Sequence, residues 1–327
     1  MNKLSHTSIA KFLECGRKYR NHYIEKIRPI KTKSALVFGS CLDQGLNALH
    51  QGKTLDESKK LFLEAWSKYE KDTSMSYSKS DLDKELLKYY DINYPDNESW
   101  WSMLYKGYLM LEACVREVLP FIKEHIAIQK AISFKNQEGD EVHGFLDLII
   151  KSQEGKVYLM DNKSSSVKYE SDSVKKSQQL VLYYYIEKDS IPIDEAGFIV
   201  YNKKINMNKV KQCKSCGTIN KSSHKTCNNE IQSEVVNEPR NFIHKRCGGE
   251  FEITYNPIAE VDFITSPISS EDEDRVIADI DKANEGIKNQ EFEPNFEACE
   301  GKYGKCEYYS LCHDGSMEGL KIGSKKD

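Results

Sequence analysis

The sequence predicts an α/β protein: a central sheet flanked by helices, preceded by a helical region and interrupted by a small cysteine-rich insertion. Three observations predict it. Residues 143–166, HGFLDLIIKSQEGKVYLMDNKSSS, set two apolar runs on either side of SQEG and read as a buried β-hairpin. Helical spacing of apolar residues before and after the hairpin alternates with short apolar strands, the pattern of a sheet covered by helices. At Lys209 the composition turns to polar residues and cysteines, which marks a separate insertion. These shifts divide the chain into an N-terminal helix with a basic segment (1–33), a helical region (34–125), a core (126–208) and the insertion (209–250). A returning strand, a helix and C-terminal cysteines (251–314) and a frayed polar tail (315–327) follow.

The chain has 327 residues, 30% of them charged, with a formal net charge of -4. Mean hydropathy is -0.64, and no apolar run reaches the length of a membrane span, so no membrane association is expected. Residues 1–20 carry several charges and no signal-peptide core, which makes the cytoplasm the expected location. The slightly acidic balance excludes a chain-wide attraction to nucleic acid; any such surface must be a local patch. Ten cysteines in a cytoplasmic chain point to metal ligation more than to disulfides.

Each element has its own local reason. Residues 5–21 form a first helix, with Ile9, Phe12 and Leu13 on one face and Cys15 near its middle. Arg17, Lys18, Arg20, Lys26, Arg28, Lys31 and Lys33, interleaved with Tyr19 and Tyr23, suit a phosphate backbone and unstacked bases. A solvated helix face explains them equally well. Residues 35–50 form a second helix with Leu36, Leu42, Leu46 and Leu49 inward; Asp43 on it reads, by itself, as a surface acid. Residues 54–71, 79–90 and 97–124 continue as helices, the last with Trp100, Trp101, Leu104, Tyr108, Leu111 and Val115 in its pattern. They form a helical insertion before the first strand, 126–134. Cys114 is a small core residue there. Beyond the hairpin, 168–188 is helical, and Gln179 and Tyr183, four apart, share a face that is otherwise a mixed surface. Residues 196–201 and 251–263 return as strands. Ser270 caps a helix whose first turn is EDED, matched to the helix dipole, with Ile277, Ile280 and Ile287 as its stripe.

The hairpin carries chemistry. Gly155 falls where a three-residue loop, Gln153, Glu154 and Gly155, needs a positive φ. Folding the chain about Glu154 puts Asp147 opposite Asp161, and Lys163 joins Asp161 on one face. Two carboxylates set among leucine, isoleucine, valine and methionine need a counter-charge. A divalent cation bound by hard oxygen ligands supplies it. A surface hairpin is the alternative, but Asp147 inside FLDLII is poorly placed for a wet face.

In the insertion, Cys213 and Cys216 are two residues apart and precede Gly217, the spacing with which paired thiolates grip one zinc ion. Cys227 and Cys247 complete a four-thiolate site, with His224 and His244 as substitutes. The stretch has too few apolar residues to fold without a metal. Four ligands leave no open position, so the zinc is structural.

Taken together and in order, these stretches resemble the PD-(D/E)XK nucleases, specifically the RecB-like branch with iron–sulfur members, which includes AddB-type helicase-nucleases and CRISPR-adaptation exonucleases. CGRKYRNHY resembles the opening cysteine-plus-basic motif, FGSCLDQGLNALH the helical first motif, and GFLDLII and YLMDNKSSS the second and third. QLVLYYY matches the Q-x3-Y helix through Gln179 and Tyr183. The resemblance implies a restriction-endonuclease-like fold with a mixed central sheet, and Asp43, Asp147, Asp161 and the Asn162 carbonyl around Mg2+ or Mn2+ with Lys163 orienting the attacking water. Asp43 stands where the family usually has histidine. It also implies an iron–sulfur cluster, 4Fe-4S in type, on Cys15, Cys299, Cys306 and Cys312. The six-residue gap between Cys299 and Cys306 is longer than the family's usual two, and a second zinc in the same pocket is the alternative. Cys41 and Cys114 are left as packing residues. The function implied is metal-dependent DNA cleavage, as an exonuclease in DNA processing, repair or recombination. The substrate is DNA with a single-stranded or free end, and a recombination or replication protein is the partner. The competing reading is a nucleic-acid-binding or scaffold protein with a vestigial core that grips through its zinc segment.

Overall fold

The computed structural model describes residues 3–92, 96–135, 139, 141–220, 224–235, 242–301 and 304–323, with the backbone alone at 3, 231–235, 242–245 and 301. In chain order, the elements that build the sheet and its layers are strand β1 (Lys3–Ser5) and helices α1 (His6–Glu14), α2 (Ser34–His50), α3 (Leu55–Ser67) and α4 (Glu98–Ala113). Strand β2 (Ile122–Lys135), the hairpin strands β3 (Glu141–Ser152) and β4 (Val157–Ser165), helix α5 (Gln178–Glu187) and strand β5 (Glu195–Asn202) come next. Strands β6 (Asn206–Cys213), β7 (Phe251–Ile258) and β8 (Val261–Ser266) precede helices α6 (Ser270–Lys288) and α7 (Tyr309–Asp314).

The central sheet is mixed, as expected. Antiparallel β2 runs along one edge of β3 from end to end. The other edge is shared: parallel β1 pairs with Glu141, Val142 and His143, and antiparallel β4 pairs from Leu148 to Lys151. β4 then pairs in parallel with β5, and β5 antiparallel with β8. A parallel neighbour needs a crossover, and α5 provides it. Two apolar layers cover the sheet. On one, Phe38, Leu42, Leu46, Phe62, Trp66 and Met110 of α2, α3 and α4 pack with Leu148, Ile150, Met160 and Ile199. On the other, Ile9, Leu180, Val181, Val276 and Ile280 of α1, α5 and α6 pack with Leu146, Ile149, Leu159 and Val200.

Several expectations are corrected. The first helix stops at Glu14, because Cys15 is extended (φ -167°, ψ 117°), and a short helix and a π turn carry the chain on to Ile24. β1, not the strand near 126–134, is the first strand of the sheet; three residues are too short to show a period. The 97–124 pattern leaves the α-helix at Ala113, makes a π turn over Cys114–Val118 and becomes strand from Ile122. The 79–90 helix shortens to Lys84–Tyr89, since Asp83 caps it. Leu36 (71% exposed) and Val115 (38% exposed) face outward rather than into the core. The 168–188 helix breaks at Ser177, whose side chain caps α5, and Ser269 rather than Ser270 caps α6 in a box with Asp272. Val276 and Ala283 replace Ile277 in the fully buried stripe of α6. The tail is ordered through part of its length: Leu320–Ile322 pairs with Ile27–Pro29, and Leu320 packs with Ile27 and Tyr308. Among the described residues, no helix is long and apolar enough to cross a membrane.

Candidate active site and thiolate centres

The hairpin forms in the predicted register, with Lys151 opposite Val157 and Leu148 opposite Met160. Gly155 takes φ +92°, and its N–H donates to the Ser152 carbonyl at 2.9 Å. The backbone ladder ends at Leu148. There β3 leaves β4 and turns toward β1, and its alternation slips: Leu146 and Ile149 enter one core, Leu148 and Ile150 the other. Asp147 sits at this fork. Its carboxylate takes over the next rung, with Oδ2 accepting the Asn162 N–H at 3.0 Å.

Asp161 is 3% exposed. Its Oδ1 accepts from Gln179 Nε2 at 3.0 Å, and its Oδ2 lies 2.5 Å from Lys163 Nζ. That close contact supplies the counter-charge a buried carboxylate requires. Burial pushes the Asp161 carboxyl up to about 6, Lys163 opposes this, and Asp147 adds to it. Burial alone would lower the Lys163 ammonium, but contact with Asp161 raises it on balance, so Lys163 stays protonated. Gln179 and Tyr183 do share one face of α5. Burial, then Asp161, pushes the Tyr183 phenol up, while a hydrogen bond with Gln179 opposes. Tyr183 fits because Gly144 has no side chain: a Cβ there would stand 2.5 Å from the phenolic oxygen.

Helix α2 approaches from the other layer. Asp43 is pushed up to about 7, first by burial, then by Asp147 and Asp161, against a smaller opposing effect of Lys163. Asp43 is half-buried on α2 and feels the charges of the hairpin acids. The three carboxylates are not drawn to within 4.8 Å of one another, a spacing that only the four cysteines of the insertion reach among the described residues. The donor set nevertheless suits a hard divalent cation: three carboxylates, Asp161 among them 3% exposed, with Asn162 Oδ1 next to it buried and lacking a hydrogen bond. Sequence reasoning missed Gln129, which donates to Asp147 Oδ1 at 3.0 Å, and Asn47, one turn past Asp43. It also missed His6, lowered to about 4 by burial and then by Lys163. A polar residue inside the apolar run IAIQKAI was the one available signal for Gln129.

Cys213, Cys216, Cys227 and Cys247 hold their sulfurs within 4.8 Å of one another. Cys213–Cys247 and Cys216–Cys227 are each 3.6 Å apart, close to the roughly 3.8 Å that a tetrahedral ion with about 2.3 Å bonds to sulfur imposes. Gly249 makes room, since a Cβ there would meet Cys213 Sγ at 2.7 Å. Hydrogen bonds from Thr218, side chain first, bring the Cys216 thiol down to about 6. The four cysteines therefore fit a metal ion. β6 and β7 pair from Cys213–Phe251 down to Asn206–Ile258 and carry the site on a two-stranded stalk. His224 is not among the gathered ligands, and the His244 side chain lies outside the described residues.

The terminal cysteines also converge, more loosely. The Asn295 N–H donates to Cys15 Sγ at 3.3 Å, and the Arg17 N–H to the Glu293 carbonyl at 3.2 Å. The Cys306 N–H donates to the Cys299 carbonyl at 2.8 Å. Burial, then Cys15, raises the thiols of Cys299 and Cys312; Cys306 is raised by burial, with Cys299 a smaller contributor. No three of these sulfurs come within the 4.8 Å that the insertion's set achieves. Two of the seven basic side chains are paired locally, Arg20 with Glu25 at 2.7 Å and Lys18 with Glu14 at 2.8 Å, and buried Tyr19 stacks on Phe292.

A family model described as the PD-(D/E)XK nuclease superfamily matches residues 3–313. Comparison with the curated proteins returns no match.

Proposed function

The chain belongs to the PD-(D/E)XK nuclease superfamily, and from that premise we propose that it is a metal-dependent deoxyribonuclease of the RecB-like, iron–sulfur branch. It acts as an exonuclease on DNA with a single-stranded or free end, in processing, repair or recombination, in the cytoplasm and beside a recombination or replication protein. What supports this reading is the contact of Lys163 with Asp161 and of Asp147 with the Asn162 N–H at the fork of the sheet, with Asp43 of α2 near enough for its carboxyl to be raised by both acids.

Asp43, Asp147, Asp161 and the Asn162 carbonyl would hold Mg2+ or Mn2+. A divalent cation there supplies charge neutralisation and polarises water and a phosphoryl oxygen. Lys163 remains an ammonium beside Asp161, so it donates hydrogen bonds to the attacking water and to the charge building on the phosphate and does not act as a base. Gln179 fixes the Asp161 carboxylate, and Tyr183 packs against Gly144 behind it. Cys213, Cys216, Cys227 and Cys247 hold a structural Zn2+ that takes no part in cleavage. Cys15, Cys299, Cys306 and Cys312 would hold a 4Fe-4S cluster that ties the first helix to the C-terminal segment.

The test is digestion of end-labelled linear DNA and of the closed circle, with Mg2+, with Mn2+ and without either. Loss of label from the linear form alone, abolished in Asp147→Ala, is expected. Intact linear DNA in every metal would refute the nuclease reading.

A further inference from the structure

Gln129 lies on β2 directly across from Asp147, between the pairs Ile128–Leu148 and Lys130–Leu146. Its φ is +48°, in the left-handed region that a side chain like glutamine rarely adopts. Such an outlier persists only where its surroundings demand it. Here the demand is visible. The Gln129 amide donates to Asp147 Oδ1 at 3.0 Å and to Asn47 Oδ1 at 3.3 Å. Asp147 Oδ2 already accepts the Asn162 N–H at 3.0 Å. Each oxygen of Asp147 thus carries one donor, which fixes the carboxylate plane and leaves one lone pair per oxygen for a ligand. Asn47 sits one helical turn beyond Asp43, so the same amide ties α2 to the hairpin.

We propose that Gln129 is a positioning residue: it fixes the Asp147 carboxylate for the divalent cation and, through Asn47, sets the approach of Asp43. The inference rests on the cation site proposed above. Partners of this kind around metal-bound carboxylates are worth about 10–100-fold in metal affinity. A bend with no such task would be served as well by glycine or asparagine, which accept a positive φ more readily.

That contrast supplies the experiment. Gln129→Gly and Gln129→Asn both ease the backbone, but glycine has no amide and the asparagine amide stops one methylene short. Mn2+ binding to the full-length protein is measured by calorimetry without DNA, beside thermal unfolding with no Mn2+ added and beside Asp147→Ala as the reference for the site. Expected are Mn2+ dissociation constants about 10–100-fold higher in both variants, unfolding temperatures equal to or above wild type, and cleavage restored by excess Mn2+. Wild-type affinity in both variants, while Asp147→Ala binds nothing, would overturn the role of Gln129 and leave the cation site standing. A fall in affinity matched by a fall in stability in both variants would mark Gln129 as structural and overturn the proposal. Wild-type protein with no Mn2+ binding dependent on Asp147 would overturn both.

Discussion

Replacing Asp43 with asparagine should make the protein more stable at neutral pH when no divalent cation is added. Asp43 is held at about 7 against an ordinary 3.8, chiefly by burial and then by Asp147 and Asp161. Holding a carboxyl that far above its ordinary value costs roughly 4 kcal/mol once it ionises, and on the order of 2–4 kcal/mol after the site relaxes. The sign follows from proton binding. Between these two values the native state holds the proton more tightly than the unfolded chain, so stability is greatest at low pH. It is lost as pH rises from near 4 through 7 and is level above that. Asp161, raised to about 6, adds a loss of the same sign over a narrower range. Urea unfolding of wild type and Asp43→Asn should therefore coincide near pH 4 and diverge toward pH 8, with the variant more stable by about 2–4 kcal/mol. Adding Mn2+ should reverse the order. Binding to the folded state at a hundredfold excess over the dissociation constant stabilises by about 2.7 kcal/mol, and wild type has one more carboxylate to bind with. Parallel pH profiles and equal responses to Mn2+ would refute the argument and return Asp43 to the helix surface.

Lys163→Ala and Asp147→Ala should each slow cleavage of labelled DNA by at least roughly 10²–10³-fold. Lys163→Ala alone should also lower the melting temperature, because it leaves Asp161 buried without its counter-charge. Asp43→His should stay active but shift from comparable rates in Mg2+ and Mn2+ toward Mn2+, read from initial rates in each metal, since imidazole is the softer donor. Replacing 210–254 with a short Gly-Ser loop, between ends already paired at Lys209 and Tyr255, should remove one zinc by metal analysis and spare cleavage of short oligonucleotides. Anaerobically purified protein should be brown and contain iron and sulfide, and Cys306→Ser should bleach it and loosen both chain ends. Colourless protein with two equivalents of zinc would refute the cluster.

What the sequence by itself determined lies within reach of local backbone geometry. A period of two and a glycine turn set the hairpin register over Leu148–Lys151 and put Asp161 and Lys163 on one face, while Asp147 lies one residue past the ladder. A spacing of four put Gln179 and Tyr183 on one face of α5, and a two-residue gap marked the Cys213 set. Tertiary structure alone decided that α2 would turn Asp43 toward the hairpin and Leu36 (71% exposed) toward water. The helical spacing of 35–50 permits several buried faces, and only the packing of α3, α4 and the sheet selects one. The same holds for Gln129, whose bent backbone answers to Asp147 on β3 and Asn47 on α2. It holds also for β1, whose three residues become a strand because β3 leaves half an edge free. Periodicity records what a residue's near neighbours impose; the fork at Asp147 exists because strands far apart in sequence compete for one edge of β3.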